Sequence, residues 1–497
     1  MYSRRRMKKA QTELRFVEFE SPFSKHLRAD NRWVRLSELI PWEDFELEYA
    51  SNFSGRGNEA FPFRVALGTL IAKEYLGLTD REIVEEITEN PYIQYFLGFT
   101  DFLEAAPFDA TLLVHFRKRI PMDLLTRMNE QIALGQFTKG ESVQAAEVQK
   151  NDKDQDPPNT GKMIIDATCA PEDMKYPTDL GLLNDAREIT EQVIDNLWET
   201  ISSEQKSNRR KPRTYRRKAR QTFLSVIRQK KAKHSAIRKG IRKQLGYLSR
   251  NVKTIETLVN DGASLSCLPP TLYRKLLVSS EVLRQQRELY TRTCKEDRHV
   301  DDRIVSISKP HVRPIVRGKA RAPVEFGAKI SASVIKGMFF LDRHSWDAFN
   351  ECGDLIGQAE TFRKRTGFYP ESIHADKIYR SRANIAWCKE RGIRLSGPLP
   401  GRPVTDESEK RKQKKLQGQD ELDRIEIEGK FGVSKRRFSM GRIMTKLRST
   451  SEHSAALVFM LINLGKILRD LLLSIFKWIV LVILGRFYDD RLIVIPA

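Results

Sequence analysis

The stretch MIIDATCAP, residues 163–171, is the part of this 497-residue chain that says most about its fold. It is a short apolar run interrupted by one acid, Asp166, and a helical pattern, DLGLLNDAREITEQVIDNLWETI, follows at 179–201. This order predicts a strand, a loop and a helix. An acid inside such a strand is a candidate for chemistry, although a single acid is more often a cap or a surface residue.

The chain beyond residue 300 again favours strands. They are predicted in RIVSISK at 303–309, in VEFGAKISASVIKGMFFLD at 324–342, and in a run that ends at Asp376. Helical patterns separate the later strands, so we expect a mixed α/β fold. The polar, Lys-rich segment 401–420 is predicted to be a loop or insertion, and a helix is predicted from about Leu422 onward.

The N-terminal part of the chain is predicted to be an all-helical domain over residues 1–146. Apolar residues recur at helical spacing in FPFRVALGTLIAKEYLGL, 61–78, and Thr79 and Asp80 can cap the helix that follows. A polar segment with two prolines, 147–161, is typical of a linker. We therefore place the α/β domain at 162–200 and 300–470, with a helical insertion at 201–299.

The insertion contains most of the protein's excess charge. Residues 206–250 hold 18 Lys and Arg and no acid, against a net charge of +22 for the whole chain. Apolar residues recur within this run, which favours an amphipathic helix, and its unneutralised charge favours contact with phosphates. A solvated helical face without a ligand is the alternative. The cations that we expect to contact nucleic acid are Arg209, Arg210, Lys211, Arg213, Arg216, Arg217 and Lys218.

Three acids have a setting that suits phosphodiester cleavage. Two divalent ions held by three carboxylates leave a site slightly positive toward a phosphate, and Asp166, Asp376 and Glu428 are the candidates. Arg424, Glu428 and Lys435 share one face of the predicted helix, where the cations could hold phosphate. An ordinary pair between Arg424 and Glu428 is the structural alternative.

Several segments together resemble the DDE insertion-sequence transposases of the broad insertion-sequence-five superfamily. Three of them resemble the catalytic blocks, and two resemble the helical N-terminal domain of these proteins. The catalytic segments are MIIDATCAPEDMKYPTD at 163–179, HADKIYRSRANIAWCKERGIRLSGPLPGRP at 374–403 and RIEIEGKFGVSKRRFSMGRI at 424–443. The N-terminal segments are LTDREIVEEITENPYIQYFLGF at 78–99 and FDATLLVHFRKRI at 108–120.

The resemblance implies an RNase H-like mixed-sheet catalytic domain, in which Asp166, Asp376 and Glu428 bind two Mg²⁺ ions and Mn²⁺ can substitute. Arg424 and Lys435 match the Arg and Lys of the family's Y-R-E-K signature. Glu421 stands where that signature has Tyr, so a role for the Tyr does not carry over, and Glu426 is a rival for the third acid. The 210 positions between Asp166 and Asp376 then hold the basic insertion within the catalytic fold.

The function implied is a DNA transposase that cleaves at the ends of a mobile element and joins the 3′-OH ends to target DNA. Its partners would be double-stranded DNA, both terminal inverted repeats and target, and a second copy in a homodimer. Residues 1–146 would then bind the element ends. The expected location is the prokaryotic cytoplasm, on the nucleoid, and five scattered cysteines agree with a reducing compartment.

Two other functions stay open from the sequence. A catalytically inactive DNA-binding protein derived from a transposase would keep the helical domain and the basic arm. A membrane-associated protein would use the apolar C-terminal run 471–497, but the longest apolar span there contains Lys477 and is too short to cross a bilayer. We expect that run to be a helix packed on the catalytic domain.

Two further residues have a functional and a structural reading. His374 lies two positions before Asp376 and could face the metals, but a structural role is preferred because Mg²⁺ favours oxygen ligands. Trp346 could stack on an unpaired base, but a core position is preferred.

Overall fold

The computed structural model describes residues 27–53, 59–141, 158–201, 210–292, 300–316, 324–397 and 407–489, of which 138–141 and 474–489 are described for the backbone alone. They form two compact units. The first comes from residues 1–171, 329–345 and 349–497, and the second comes from 172–328 and 346–348. This division groups the N-terminal helices with most of the strands, and the domain boundaries drawn from the sequence stay predictions. Most of the expected linker, 147–157, lies outside the described residues.

In the described residues seven helices precede the first strand, in the part of the chain where helices were predicted. They are α1 (Arg32–Leu39), α2 (Trp42–Ala50), α3 (Phe63–Leu76), α4 (Asp80–Glu89), α5 (Pro91–Leu97), α6 (Leu112–Arg119) and α7 (Met122–Glu141). The predicted cap of α4 is confirmed. The Thr79 side chain accepts from the Glu82 backbone, and the Glu82 side chain accepts from the Thr79 backbone, so both exposed N–H groups are satisfied.

A mixed sheet forms the centre of the α/β part. Its strands are β1 (Lys162–Pro171), β2 (Arg313–Val316), β3 (Val324–Ile335), β4 (Met338–Ser345), β5 (Ser372–His374) and β6 (Arg394–Leu395). Their order in the described residues is β2-β3-β1-β5-β6, and β4 pairs with β3. β1, β5 and β6 run parallel, whereas β2, β3 and β4 pair antiparallel.

The strands differ from the sequence prediction at two places. The run 324–342 is a hairpin of two strands, because Lys336 and Gly337 both adopt positive φ and reverse the chain. The predicted strand at 303–309 is wrong, since these residues have irregular backbone with a bend at 307–308. Ile304 and Ile307 are nevertheless buried against helices of the second unit, so the apolar pattern there reflects packing without strand pairing.

Four more helices belong to the first unit: α12 (Leu355–Thr366), α13 (Arg382–Glu390), α14 (Glu407–Arg436) and α15 (Arg448–Asp489). The expected loop at 401–420 is wrong from Glu407 onward, because α14 begins there. Its Lys, Glu and Gln residues are strong helix formers, and Arg394 binds both carboxylate oxygens of Asp420 at 2.9 Å, which attaches the helix to β6.

The C-terminal helix α15 supplies much of the core of the first unit. Phe459 stacks on Phe339 at 4.1 Å, and both side chains are fully buried, which contributes roughly 2–3 kcal/mol each. In the described residues no helix is long and apolar enough to cross a membrane. The predicted packing of 471–497 falls almost wholly on side chains outside the described set, and Leu471, Leu472 and Leu473 are exposed.

The second unit is built mainly from four helices: α8 (Asp179–Thr200), α9 (Arg216–Ile227), α10 (His234–Asn260) and α11 (Pro270–Thr291). The helix predicted after the first strand is α8, and the basic run forms α9 and much of α10. Leu183, Leu248 and Val282 pack together from three of the helices. From Arg210 onward the basic run is therefore folded, and Leu245 and Leu248 within it face a core, whereas Ile227 is exposed.

Candidate active site

Asp166 lies in the middle of β1, where its neighbours on both sides are buried. Its Oδ1 atom accepts a hydrogen bond from the Ala167 backbone N–H at 2.8 Å. Burial raises the pKa of this carboxyl to about 6, and the negative charges of Glu351 and Asp376 add to the rise, while the Ala167 N–H and Arg424 oppose it. The position is electrostatically costly without an added cation.

Asp376 follows β5, the parallel neighbour of β1. Ile164 of β1 is paired in register with His374 of β5, so each strand is followed from the same paired position by an acid two residues later, Asp166 within β1 and Asp376 just after β5. Adjacent parallel strands bring such residues to the same edge of a sheet. The Asp376 side chain accepts from the Lys377 backbone N–H at 2.7 Å and caps a short 3₁₀ turn, Lys377–Tyr379. Its carboxylate is about half exposed.

Glu428 lies on α14 and is linked to Asp376 by a shared contact with Arg424. The Arg424 guanidinium lies 3.8 Å from the Asp376 carboxylate and 3.6 Å from the Glu428 carboxylate. Its Nε atom is buried without a hydrogen-bond partner among the described residues. The pair between Arg424 and Glu428 expected as the structural alternative is present, but the same arginine also joins a second acid that is 48 positions earlier in the chain than itself.

Glu351 is a neighbour of the site that the sequence did not indicate. It lies in a 3₁₀ turn, Glu351–Asp354, and its carboxylate is 2.8 Å from Lys329 Nζ. Its charge contributes to the raised pKa values of Asp166 and of the buried Tyr379. No motif surrounds it, and only its place just after a strand could have suggested it.

The other residues proposed on α14 lie as follows. Glu426 is 3.7 Å from Lys430, whereas Glu428 is 3.6 Å from Arg424, so the two acids face different directions. Lys435 is half-buried in the last turn of the helix, and Glu421 is exposed. The rival acid is thus separated from Asp376, whereas Glu428 shares an arginine with it.

His374 and Trp346 both have structural surroundings. His374 is buried, its Nε2 atom is 3.0 Å from the Ser372 hydroxyl, and its Nδ1 atom is 3.4 Å from Asp420. Burial lowers its pKa, although Asp420 and Asp423 oppose this. Trp346, in the second unit, is buried with its ring edge-on to His311. Neither side chain is available to a metal or a base in this arrangement.

The three proposed ligands suit a hard divalent cation in chemistry, because all are carboxylates. The raised pKa of Asp166 points the same way, since a cation would relieve the repulsion from its acidic neighbours. As placed, however, no group of three or more His, Cys, Asp or Glu in the described part of the chain is arranged to hold a metal ion. Arg424 is the positive group between Asp376 and Glu428.

The basic run lies in the second unit and is partly neutralised there. Lys211 lies 2.9 Å from Asp195, and Arg216 pairs with Asp195 and Glu191 on α8. Arg210, Arg213, Arg217 and Lys218 are exposed, and none of them has an ion pair within the described residues. Arg209 lies outside these residues. Sequence alone did not show that two of the seven cations have intramolecular partners.

Comparison with known proteins gives two family matches and one relative. Residues 373–465 match the model of a transposase DDE domain, and residues 21–119 match a transposase domain of otherwise undefined function. A protein of Rhizobium meliloti named uncharacterized protein ORF8 in the nfe locus is 32% identical over 146 residues, which cover 29% of this chain and 64% of the relative. The chain thus spans less than two thirds of that relative's length. No solved structure matches.

The first match includes Asp376, Arg424, Glu428 and Lys435, and the second includes α1 to α6. Asp166 and the basic run lie outside both matches.

Proposed function

Because the two family matches indicate a DDE-type insertion-sequence transposase, we propose that this chain cleaves DNA at the ends of a mobile element and joins the freed 3′-OH ends to target DNA. The observation that carries the proposal is the shared arginine: Arg424 contacts both Asp376 and Glu428, and its charge also acts on Asp166. Asp376 and Glu428 therefore share one arginine, and the charges of Arg424 and Asp376 act on Asp166, which supports the proposal.

In this proposal the acids act together as an RNase H-like site. Asp166, Asp376 and Glu428 would hold two divalent ions, Mg²⁺ or Mn²⁺, which supply Lewis-acid stabilisation of the charge that develops on the phosphate. Arg424 would donate to a non-bridging phosphate oxygen once the acids are neutralised, and Lys435 would hold phosphate farther along α14. These contacts place the scissile phosphate for in-line attack.

The two chemical steps follow from this placement. Water attacks phosphorus at the element end, the bond to the 3′ oxygen breaks, and a 3′-OH is released. That hydroxyl then attacks a phosphodiester of the target, forms a new bond to its phosphorus and displaces the target's own 3′ oxygen. Double-stranded DNA is the partner, a homodimer would hold two ends, and the prokaryotic cytoplasm is the proposed location.

The test is strand cleavage on DNA that carries the element's flanking sequence. Asp166→Ala, Asp376→Ala and Glu428→Ala should each abolish Mg²⁺-dependent nicking while end binding stays close to that of the wild-type protein. Glu104→Ala, an exposed acid, is the matched control. If the wild-type protein binds these ends but nicks neither strand with Mg²⁺ or Mn²⁺, the proposal is wrong and an inactive DNA-binding protein is favoured.

A further inference from the structure

A basic groove lies in the first unit, and Asp166, Asp376 and Glu428 are not among the residues that line it. It has a volume of about 970 Å³ and is lined by α1, by the second half of α14 and by α15. Seven cations and two acids line it. We define the basic groove by its four central arginines, Arg32, Arg35, Arg436 and Arg437. So strong an excess of one charge around a concave surface is unfavourable unless anions occupy it.

The four arginines have no carboxylate partner within the described residues. Arg32 and Arg437 both lie against the ring of Tyr75, at 5.9 and 5.0 Å from its centre, so the aromatic ring holds two like charges beside each other. The Nε atom of Arg35 is buried with no hydrogen-bond partner in the described set. The guanidinium N–H groups of these arginines are thus held in place without a carboxylate partner in the described residues.

The acids in the groove form their close ion pairs with other cations, although the charge of Arg35 also acts on Asp30. Asp30 binds Arg28 at 2.7 Å, and Glu426 lies 3.7 Å from Lys430. The remaining cation, Arg469, donates to a carbonyl of its own helix. Each acid therefore has a nearer cation, and the charge on the four central arginines stays open to an external anion.

The proposed third acid, Glu428, lies on α14, and the basic groove is lined by the opposite side of that helix. At 3.6 residues per turn, the groove-lining Lys430 and Val433 lie roughly 120–180° around α14 from Arg424 and Glu428, and Arg437 follows directly after the helix. One helix thus presents acids and Arg424 to the sheet edge and a row of cations to the groove. A polymer with regularly spaced phosphates can contact several cations of such a row at once, whereas one small anion contacts only one or two of them.

We propose that the basic groove binds the phosphate backbone of DNA, on the face of α14 turned away from Arg424 and Glu428. This inference rests on the proposed function and adds a second DNA contact to it. Contacts of this kind position the DNA without reading bases, because guanidinium groups here meet phosphates and not base edges.

The experiment compares three triple variants of the full chain. Arg32→Gln, Arg436→Gln and Arg437→Gln together remove three exposed charges from the groove. Lys364→Gln, Lys389→Gln and Lys412→Gln together remove three exposed charges that do not line it. Arg32→Lys, Arg436→Lys and Arg437→Lys together keep the groove charge. Thermal unfolding shows whether each variant is folded.

Binding is measured by anisotropy of a labelled DNA duplex of scrambled sequence over a range of salt concentrations. The groove triple should bind roughly 10- to 100-fold more weakly at low salt, and its slope of log affinity against log salt should fall by up to about 0.9 per lost contact. The lysine triple should recover much of the loss, and the control triple should stay near wild type.

Equal binding by the groove triple and the control triple would overturn the inference. This failure is separate from failure of the proposed function, because the duplex is not a cleavage substrate and no metal is added. A wild-type protein that never nicks DNA, with a groove triple that binds weakly, would overturn only the cleavage proposal.

Discussion

Asp166 is the residue whose ionisation is most informative about the site. Its raised pKa has burial as the main cause and Glu351 and Asp376 as acidic neighbours. Between the ordinary value of 3.8 and about 6, the folded protein keeps a proton that the unfolded chain has lost. Stability therefore falls as pH rises through this window and stays lower above it.

Asp166→Asn should stabilise the metal-free protein above about pH 6, by up to about 3 kcal/mol, and should give no advantage below about pH 4. The amide removes the cost of a buried charge at high pH only. Urea unfolding in EDTA at both pH values measures this. Glu104→Gln, a substitution of an exposed acid, should leave the free energy of unfolding unchanged at both pH values. An equal effect of Asp166→Asn at both pH values would show that packing, not charge, explains it.

Glu426 and Glu428 offer a matched comparison two positions apart on one helix. Glu428→Gln should reduce cleavage by at least about 100-fold, because it removes a proposed ligand that shares Arg424 with Asp376. Glu426→Gln should be mild, since Glu426 faces Lys430 and the basic groove. Initial nicking rates at saturating DNA measure both. Equal loss in the two variants would contradict the assignment of the third acid.

At the scale of elements, one buried amide joins a strand and two helices of the first unit. Asn463 on α15 accepts from the Phe339 N–H on β4 at 2.7 Å and donates to the Phe339 carbonyl and to Asn129 on α7, both at 2.8 Å. Asn463 is fully buried. These hydrogen bonds therefore fix the position of α15 on β4, and they also satisfy the buried polar groups of Phe339, Asn129 and Asn463.

Asn463→Ala should lower the free energy of unfolding by about 2–4 kcal/mol, because the Phe339 N–H and the Asn129 side chain lose a buried partner. Chemical denaturation measures the change. Asn196→Ala is the control, since that partly exposed amide donates to the Gln192 carbonyl within its own helix. A loss no larger than the control's would mean that water replaces the amide.

At the scale of the whole molecule, charge is distributed unevenly and is only partly neutralised. The basic run holds most of the net charge, yet Lys211 and Arg216 are paired with acids of α8. A cation already paired with a carboxylate gains less from a phosphate than an unpaired one, since the first partner must be given up.

Replacing Arg210, Arg213, Arg217 and Lys218 with Gln should therefore weaken DNA binding and flatten its salt dependence more, per charge removed, than replacing Lys211 and Arg216. Anisotropy titrations across a salt series on two unrelated duplexes give both quantities. The loss should be the same on both sequences, as expected for backbone contacts. Loss on one sequence alone would argue for base reading.

Features that depend on near neighbours in the chain were predictable from the amino-acid order. The strand and helix at 162–200, the cap of α4 and the helical nature of the basic run follow from spacing and from local hydrogen bonds. The candidate acids were also visible, since Asp166, Asp376 and Glu428 each sit in a recognisable segment.

Which of these groups contact one another depends on how the helices and strands pack. The contact of Arg424 with Asp376, the nearness of Glu351, the partners of Lys211 and the arginines around Tyr75 all join residues that are far apart in the chain. The physical reason is that periodicity and capping act over a few residues, whereas these contacts arise from the packing of whole helices on a sheet. The same packing placed acids on one side of α14 and unpaired arginines on the other.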